Sequence, residues 1–168
     1  AIAAGGAWPY QGNRNLLIAF TSYLGSSGRN AAAADGVFYR DSKTRFEHIP
    51  DGLSNTIMVG ERPPSPENRF GWWYSAAGQD GRGSLDYLLG TEERNLVPEA
   101  WYRSCGSGPF AYQRFDRSRF CSVFQFSSMH EAGASFAFCD GSVRFIAYSA
   151  TPVLVPLSTR AGGEVITD

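Results

Sequence analysis

The stretch Ser135–Tyr148, SFAFCDGSVRFIAY, reads as a β-hairpin. Two apolar runs flank Asp140-Gly141, a dipeptide that favours tight hairpin turns because both residues tolerate positive φ. A two-residue turn there pairs Cys139 with Ser142, Phe138 with Val143 and Phe136 with Phe145. The bulky residues then share one face. The other carries Ser135, Ala137, Cys139, Ser142, Arg144 and Ile146, and the contrast sets the register.

Three more Asp-Gly pairs punctuate the chain, at Asp35-Gly36, Asp51-Gly52 and Asp80-Gly81. Apolar runs follow them at Val37–Tyr39, Thr56–Val59 and Leu85–Leu89, so the pattern predicts turn-punctuated antiparallel sheet. The spacing is irregular, which excludes a solenoid or propeller repeat. Ahead of these, Leu16–Phe20 with Thr21, Tyr23 and Leu24 reads as a buried strand, and residues 1–15 read as an irregular N-terminal segment. Arg62–Pro66 holds three prolines and runs extended. Residues 92–120, broken by Pro98, Gly106, Gly108 and Pro109, read as a long irregular loop. Near the end, Pro156 opens a short helix reaching Ala161, with Gly162 as its cap.

The 168 residues fit a single domain. A composition 43% hydrophobic, 14% aromatic and 18% charged is too apolar for a disordered chain and suits a β-rich globular domain. The net charge of −1 offers no field to draw in nucleic acid or an anionic membrane. That counts against reading Arg114, Arg117 and Arg119, interleaved with Tyr112, Phe115 and Phe120, as a nucleic-acid stretch. Nearly all the cations are arginine, Lys43 being the exception, so stacking of guanidinium groups on aromatic rings is expected. The chain has no run long and apolar enough for a membrane span, and its first ten residues read as a processed or truncated start.

Three cysteines allow one disulfide and one free thiol, and none has zinc or redox spacing. A Cys105–Cys121 bridge closes a Gly- and Arg-rich loop and implies an oxidising compartment, while Cys139 reads as a small buried hydrophobe within a strand. His48 and His130 lack metal-ligand spacing, and no GxSxG elbow is present to expose a nucleophilic serine. His130 precedes Asp140 by ten residues, about 33 Å along an extended strand, so the two are not expected to form a catalytic pair. Trp72, Trp73, Tyr74 and Trp101 are candidate ligand or interface aromatics, since flat rings stack on sugars as well as on protein partners. Asp80, Asp86 and Glu92 are the loop acids closest to a calcium set, set against turn capping or pairing with Arg82 and Arg94.

The segment HEAGASFAFCDGSVRFI, His130–Ile146, resembles the His-x(9)-Asp-Gly motif of a domain-of-unknown-function family abundant in planctomycete bacteria. TSYLG at residue 21, DGVFYR at residue 35, RFEHIPDGLSNTIMVGERP at residue 45, GWW at residue 71, the loop cysteines and PLSTRAGGEV at residue 156 resemble its other landmarks, in order. The resemblance implies a pilin-like globular domain, related to type II secretion pseudopilins, that in relatives follows a prepilin-type N-terminus with a hydrophobic helix. It makes His130, Asp140 and Gly141 structural motif residues, and it brings calcium to mind through a C-terminal loop site of the major pseudopilins.

The expectation is thus an α+β domain, mainly antiparallel sheet, pilin-like, lacking the N-terminal hydrophobic helix and ending in a short helix. Its expected role is structural: self-association or assembly with other pilin-like subunits, outside the cell or on its surface, with no catalysis, metal, nucleic acid or membrane span in this chain. An extracellular glycan- or solute-binding module is the alternative.

Overall fold

The computed structural model describes the backbone of residues 6–10, 14–72 and 78–164, and side chains from residue 19 onward within those ranges, that of Trp101 excepted. The strands are β1 (Gly6–Tyr10), β2 (Arg14–Ile18), β3 (Tyr23–Ser26), β4 (Ile57–Glu61), β5 (Leu88–Leu89), β6 (Glu92–Glu93), β7 (Phe110–Ala111), β8 (Gly133–Phe138) and β9 (Val143–Ala147). The helices are α1 (Ala100–Arg103) and α2 (Thr151–Ser158), accompanied by short 3₁₀ turns. The architecture is α+β with mostly antiparallel sheet and a short C-terminal helix, as the sequence predicts.

A five-stranded sheet of order β5-β3-β4-β8-β9 is the frame. All its pairs are antiparallel except β3 with β5. One face buries Leu24, Ile57, Ala134, Phe136, Phe138 and Ile146 against Phe124 and Phe126 from the connections, Tyr102 from α1 and Leu154 from α2. In β4, Gly60 is buried because the rings of Phe136 and Phe126 occupy the space its side chain would take, 2.6–2.8 Å from an added Cβ. A glycine in a strand marks such a close approach.

Several predicted elements differ: Val37–Tyr39, expected as a strand, lies outside the strands, and the strand expected from Leu16 to Leu24 is split between β2 and β3 in separate sheets. Within the expected irregular segment 1–15, β1 pairs antiparallel with β2 from Gly6↔Ile18 to Tyr10↔Arg14. Pro9 obscured this strand, but in a two-stranded ribbon its missing donor can face away from the partner. The stretch 92–120 holds α1 and an antiparallel β6–β7 pair besides its loops. The C-terminal helix starts five residues before Pro156: Pro152 occupies its first turn, where its missing N–H costs nothing, and Pro156 lies inside. It ends at Ser158, with extended Thr159 following, so Gly162 is not its cap.

The segment after α2 clasps the earlier Asp-Gly turns. Arg160 donates from Nη1 to the carbonyls of Ala34 (2.9 Å) and Gly36 (2.7 Å) and lies 5.1 Å over the Tyr39 ring. The Asp51 carboxylate accepts the N–H groups of Gly162 (2.7 Å) and Gly163 (3.0 Å). Three stretches distant in sequence, at residues 35, 51 and 160, therefore form one knot of polar contacts.

Candidate functional site: the open edge of the central sheet

The hairpin stands where the sequence puts it, one residue out of the predicted register. Phe136 faces Arg144, Ser135 faces Phe145 and Ala134 faces Ile146. The turn has three residues, Cys139-Asp140-Gly141: Gly141 N–H donates to the Phe138 carbonyl (3.0 Å) and Phe138 N–H to the Ser142 carbonyl (2.9 Å). Gly141 takes φ +83°, the left-handed position that makes a G1 bulge after a type I turn. A one-residue shift exchanges the faces of one strand. Phe136 and Phe138 are buried with Ile146, while Val143 and Phe145, expected beside them, are 68% and 54% exposed. Cys139 consequently sits in the turn, half-buried, rather than within a strand, and burial pushes its thiol up to about 11.

Arg144 covers the outer end of the core. Its guanidinium lies 4.2 Å from the Phe138 ring centre and 3.9 Å from Asp140. Asp140 accepts the N–H (2.9 Å) and hydroxyl (2.7 Å) of Ser142, and these bonds, with the Arg144 charge, hold its carboxyl below the usual range. His130 lies beyond the other end of β8 and is exposed. Its N–H donates to Ser128 Oγ (3.0 Å) and its ring meets Phe145 edge-on at 6.4 Å. Six strand residues, about 20 Å at strand rise, separate His130 from the turn, so the motif residues serve the hairpin from opposite ends.

β9 is the last strand of the sheet, and Val143, Arg144 and Phe145 are exposed in succession. Successive strand residues point to opposite faces, so three exposed in a row leave this end of β9 reachable from both faces, and among the described residues no strand pairs with its outer edge. The opposite edge differs: β5 has two residues, both buried.

The other candidate residues take structural places. Trp72 is half-buried and donates from Nε1 to the Asn68 carbonyl (3.3 Å). Trp73 and Tyr74 lie outside the described residues; Trp101 contributes backbone to α1, its side chain likewise outside. Cys105 and Cys121 form the expected disulfide, Cα–Cα 5.6 Å, beside a cleft of about 260 Å³ that also exposes Arg114, Arg119 and Gln113. Asp80 caps a turn through Arg82 N–H (2.8 Å) and Ser84 N–H (3.3 Å). Asp86 is buried and accepts the N–H groups of Gly71 (3.0 Å) and Gly78 (2.9 Å), burial raising its carboxyl above the ordinary range. Glu92 is part of β6, and among the described residues no three acidic, histidine or cysteine side chains gather as a metal group.

Two groups escaped the sequence reading. Arg62, expected on an extended connection, is fully buried, donating to the carbonyls of Pro63 (2.9 Å) and Leu85, and burial lowers its pKa to about 10. Glu93 is also buried and collects the N–H groups of Gly90 (3.0 Å), Arg94 (3.0 Å) and Ala31 (3.3 Å). Desolvation raises its carboxyl despite those bonds. No local signal marks either as interior. The expected guanidinium stacking is seen, with Arg69 over Phe70 (5.7 Å) and Tyr102 (5.8 Å) besides Arg144 and Arg160.

A second concavity, about 290 Å³, is walled by Pro63, Pro64 and Pro66 opposite Phe115 and Met129, with Arg117 at its lining.

Fold and site together define a disulfide-pinned α+β domain whose central sheet ends in an open strand, β9. The chain belongs to the family SBP_bac_10, Protein of unknown function (DUF1559), whose model matches residues 2–152. No curated protein and no solved structure matches it. The disulfide is compatible with an extracellular location. No helix among the described residues is long and apolar enough to cross a membrane.

Proposed function

We propose that this protein is a secreted, pilin-like structural subunit, working at the cell surface or in an extracellular filament by assembly with copies of itself or with similar subunits, without catalysis. The observation that carries this reading is the open β9 edge, where exposed Val143 and Phe145 turn their backbone N–H and C=O groups outward without a partner among the described residues. Edge strands are normally blunted by proline, lysine, bulges or short length, because an unblunted edge pairs with other chains. β9 contains no proline or lysine, and its one charge, Arg144, is drawn back onto Phe138 and Asp140. The disulfide and the landmarks shared in order with the His-x(9)-Asp-Gly family support the same reading. Electron microscopy of the purified chain over a concentration series tests it. Filaments or large regular particles are expected; a strict monomer at the highest concentrations overturns it.

A ligand-binding module is the second reading, favoured by the proline-walled cleft with its aromatic and cationic groups. A thermal-shift screen against glycans and small solutes separates the two. A saturable upward shift that F115A abolishes supports binding, and a flat response across the screen removes it.

A further inference from the structure

The turn bonds fix which backbone groups of β9 point outward. With Phe138 and Ser142 bonded across the turn, the pairs Phe136/Arg144 and Ala134/Ile146 also exchange bonds, because bonded and non-bonded pairs alternate in an antiparallel ladder. The N–H and C=O groups of Val143 and Phe145 therefore face away from β8. No group among the described residues bonds them.

We propose that a second copy of this chain adds its β9 to this edge, antiparallel, across a two-fold axis at Phe145. The inference deepens the assembly reading above and rests on it. Two five-stranded sheets become one of ten. Phe145 then faces Phe145 of the partner subunit, and Val143 faces the partner's Ala147, all on the exposed face. Arg144, the only charged residue of β9, faces the partner's Ile146 on the other face, so no like charges are opposed.

Other registers fail on the same observations. A two-fold at Arg144 sets the two guanidinium groups directly against each other, opposing like charges. A two-fold at Val143 brings Phe145 against Gly141 in the turn, and those at Ile146 and Ala147 run into the 3₁₀ turn Tyr148–Ala150. Arg144 stays on Phe138 and beside Asp140, so pairing needs no rearrangement of the hairpin.

A two-fold contact uses the same patch on both subunits and closes. The opposite edge, β5, is too short and buried to extend the sheet. Pairing through the central sheet thus makes a dimer, and any filament grows from that dimer through other surfaces.

The test is cross-linking in a C139S background, which leaves the native disulfide as the only other cysteine pair. Bonded antiparallel pairs have Cα atoms about 5.5 Å apart, within disulfide reach. F145C is expected to form a reducible dimer with itself. V143C and A147C, each alone, are expected to form at least tenfold less, and mixed together to cross-link with one another. In sedimentation, F145K is expected to shift the native dimer to monomer with its circular dichroism unchanged. Cross-linking of V143C with itself as readily as F145C overturns the register. A wild-type monomer up to about 0.1 mM, which requires a Kd weaker than that concentration, overturns the dimer. If F145K assembles into the same filaments as wild type and no dimer is seen, this contact fails while the assembly reading stands; if neither dimer nor filament forms, both fall.

Discussion

The Arg144 guanidinium rests 4.2 Å from the centre of the Phe138 ring, closing the sheet's core beside the turn with a charged side chain. Phe138 is 1% exposed although it is the last residue of β8, and Arg144 is what stands between it and water on that side. R144A is expected to destabilise the fold by about 1 kcal/mol, through lost cation–π attraction and uncovered ring. R144M, which keeps the aliphatic cover, should lose about half as much. Urea denaturation of the three proteins measures both.

Gly60 has no room for a methyl group between Phe136 and Phe126. G60A is expected to cost about 2 kcal/mol or more, since overpacking a filled core forces rings off their rotamers or strands apart. A thermal melt should show a clear drop in Tm, larger than that of an alanine placed at exposed Gly81, where nothing lies within 4 Å. Gly81 has its own left-handed φ of +70°, so the comparison separates crowding from backbone strain.

Glu93 is held in the interior with its carboxyl raised above the ordinary value, desolvation outweighing three backbone donors. The sign follows from linkage. With the folded pKa above the unfolded one, the unfolded chain releases this proton first as pH rises. The contribution to stability is therefore fully present below the unfolded value of 4.5 and is lost as pH rises through the folded value. E93Q is expected to be less stable at low pH, because its amide must face a backbone donor, but to gain on wild type as pH rises from 4.5 through the raised folded value. Parallel denaturation curves across that range, with no change in the difference, would exclude the effect.

Arg160 ties the tail to the Ala34 and Gly36 carbonyls and to Tyr39. R160A is expected to cost about 2 kcal/mol, from two charge-assisted bonds and a stacked ring. It should also open the end of the chain before the rest unfolds. Limited proteolysis checks this: cleavage after α2 should speed up in R160A and in D51A, which releases Gly162 and Gly163, while the β8–β9 hairpin stays protected.

Sequence located the hairpin and could not count its turn. Asp-Gly serves a two-residue turn and equally the end of a three-residue one, and the apolar residues Phe136, Phe138, Val143 and Phe145 look alike as letters. Only the rings beneath decide: Phe126 and Tyr112 pack on Phe136, which fixes β8, and Gly141 then shifts β9 by one residue. The exposure of Val143 and Phe145 follows from that shift and the open edge from the place of β9 at the end of the strand order, so the candidate site was invisible even though its hairpin was evident. The helix start shows the same limit. Pro152 and Pro156 are both good first-turn residues, and the longer helix won because it buries Leu154 and Leu157 together.

The amino-acid sequence by itself determined the fold class, the hairpin around Asp140-Gly141, the Cys105–Cys121 bridge, the presence of a C-terminal helix and the stacking habit of the arginines. These rest on local propensity, turn chemistry and cysteine count, all of which act over a few residues or through composition. Tertiary structure alone decided the hairpin register, the burial of Arg62 and Glu93, the knot of Arg160 and Asp51 with distant turns, and the exposure of Val143 and Phe145. Each depends on which surface a residue meets across the chain, a free energy of packing and desolvation that no short stretch of sequence contains.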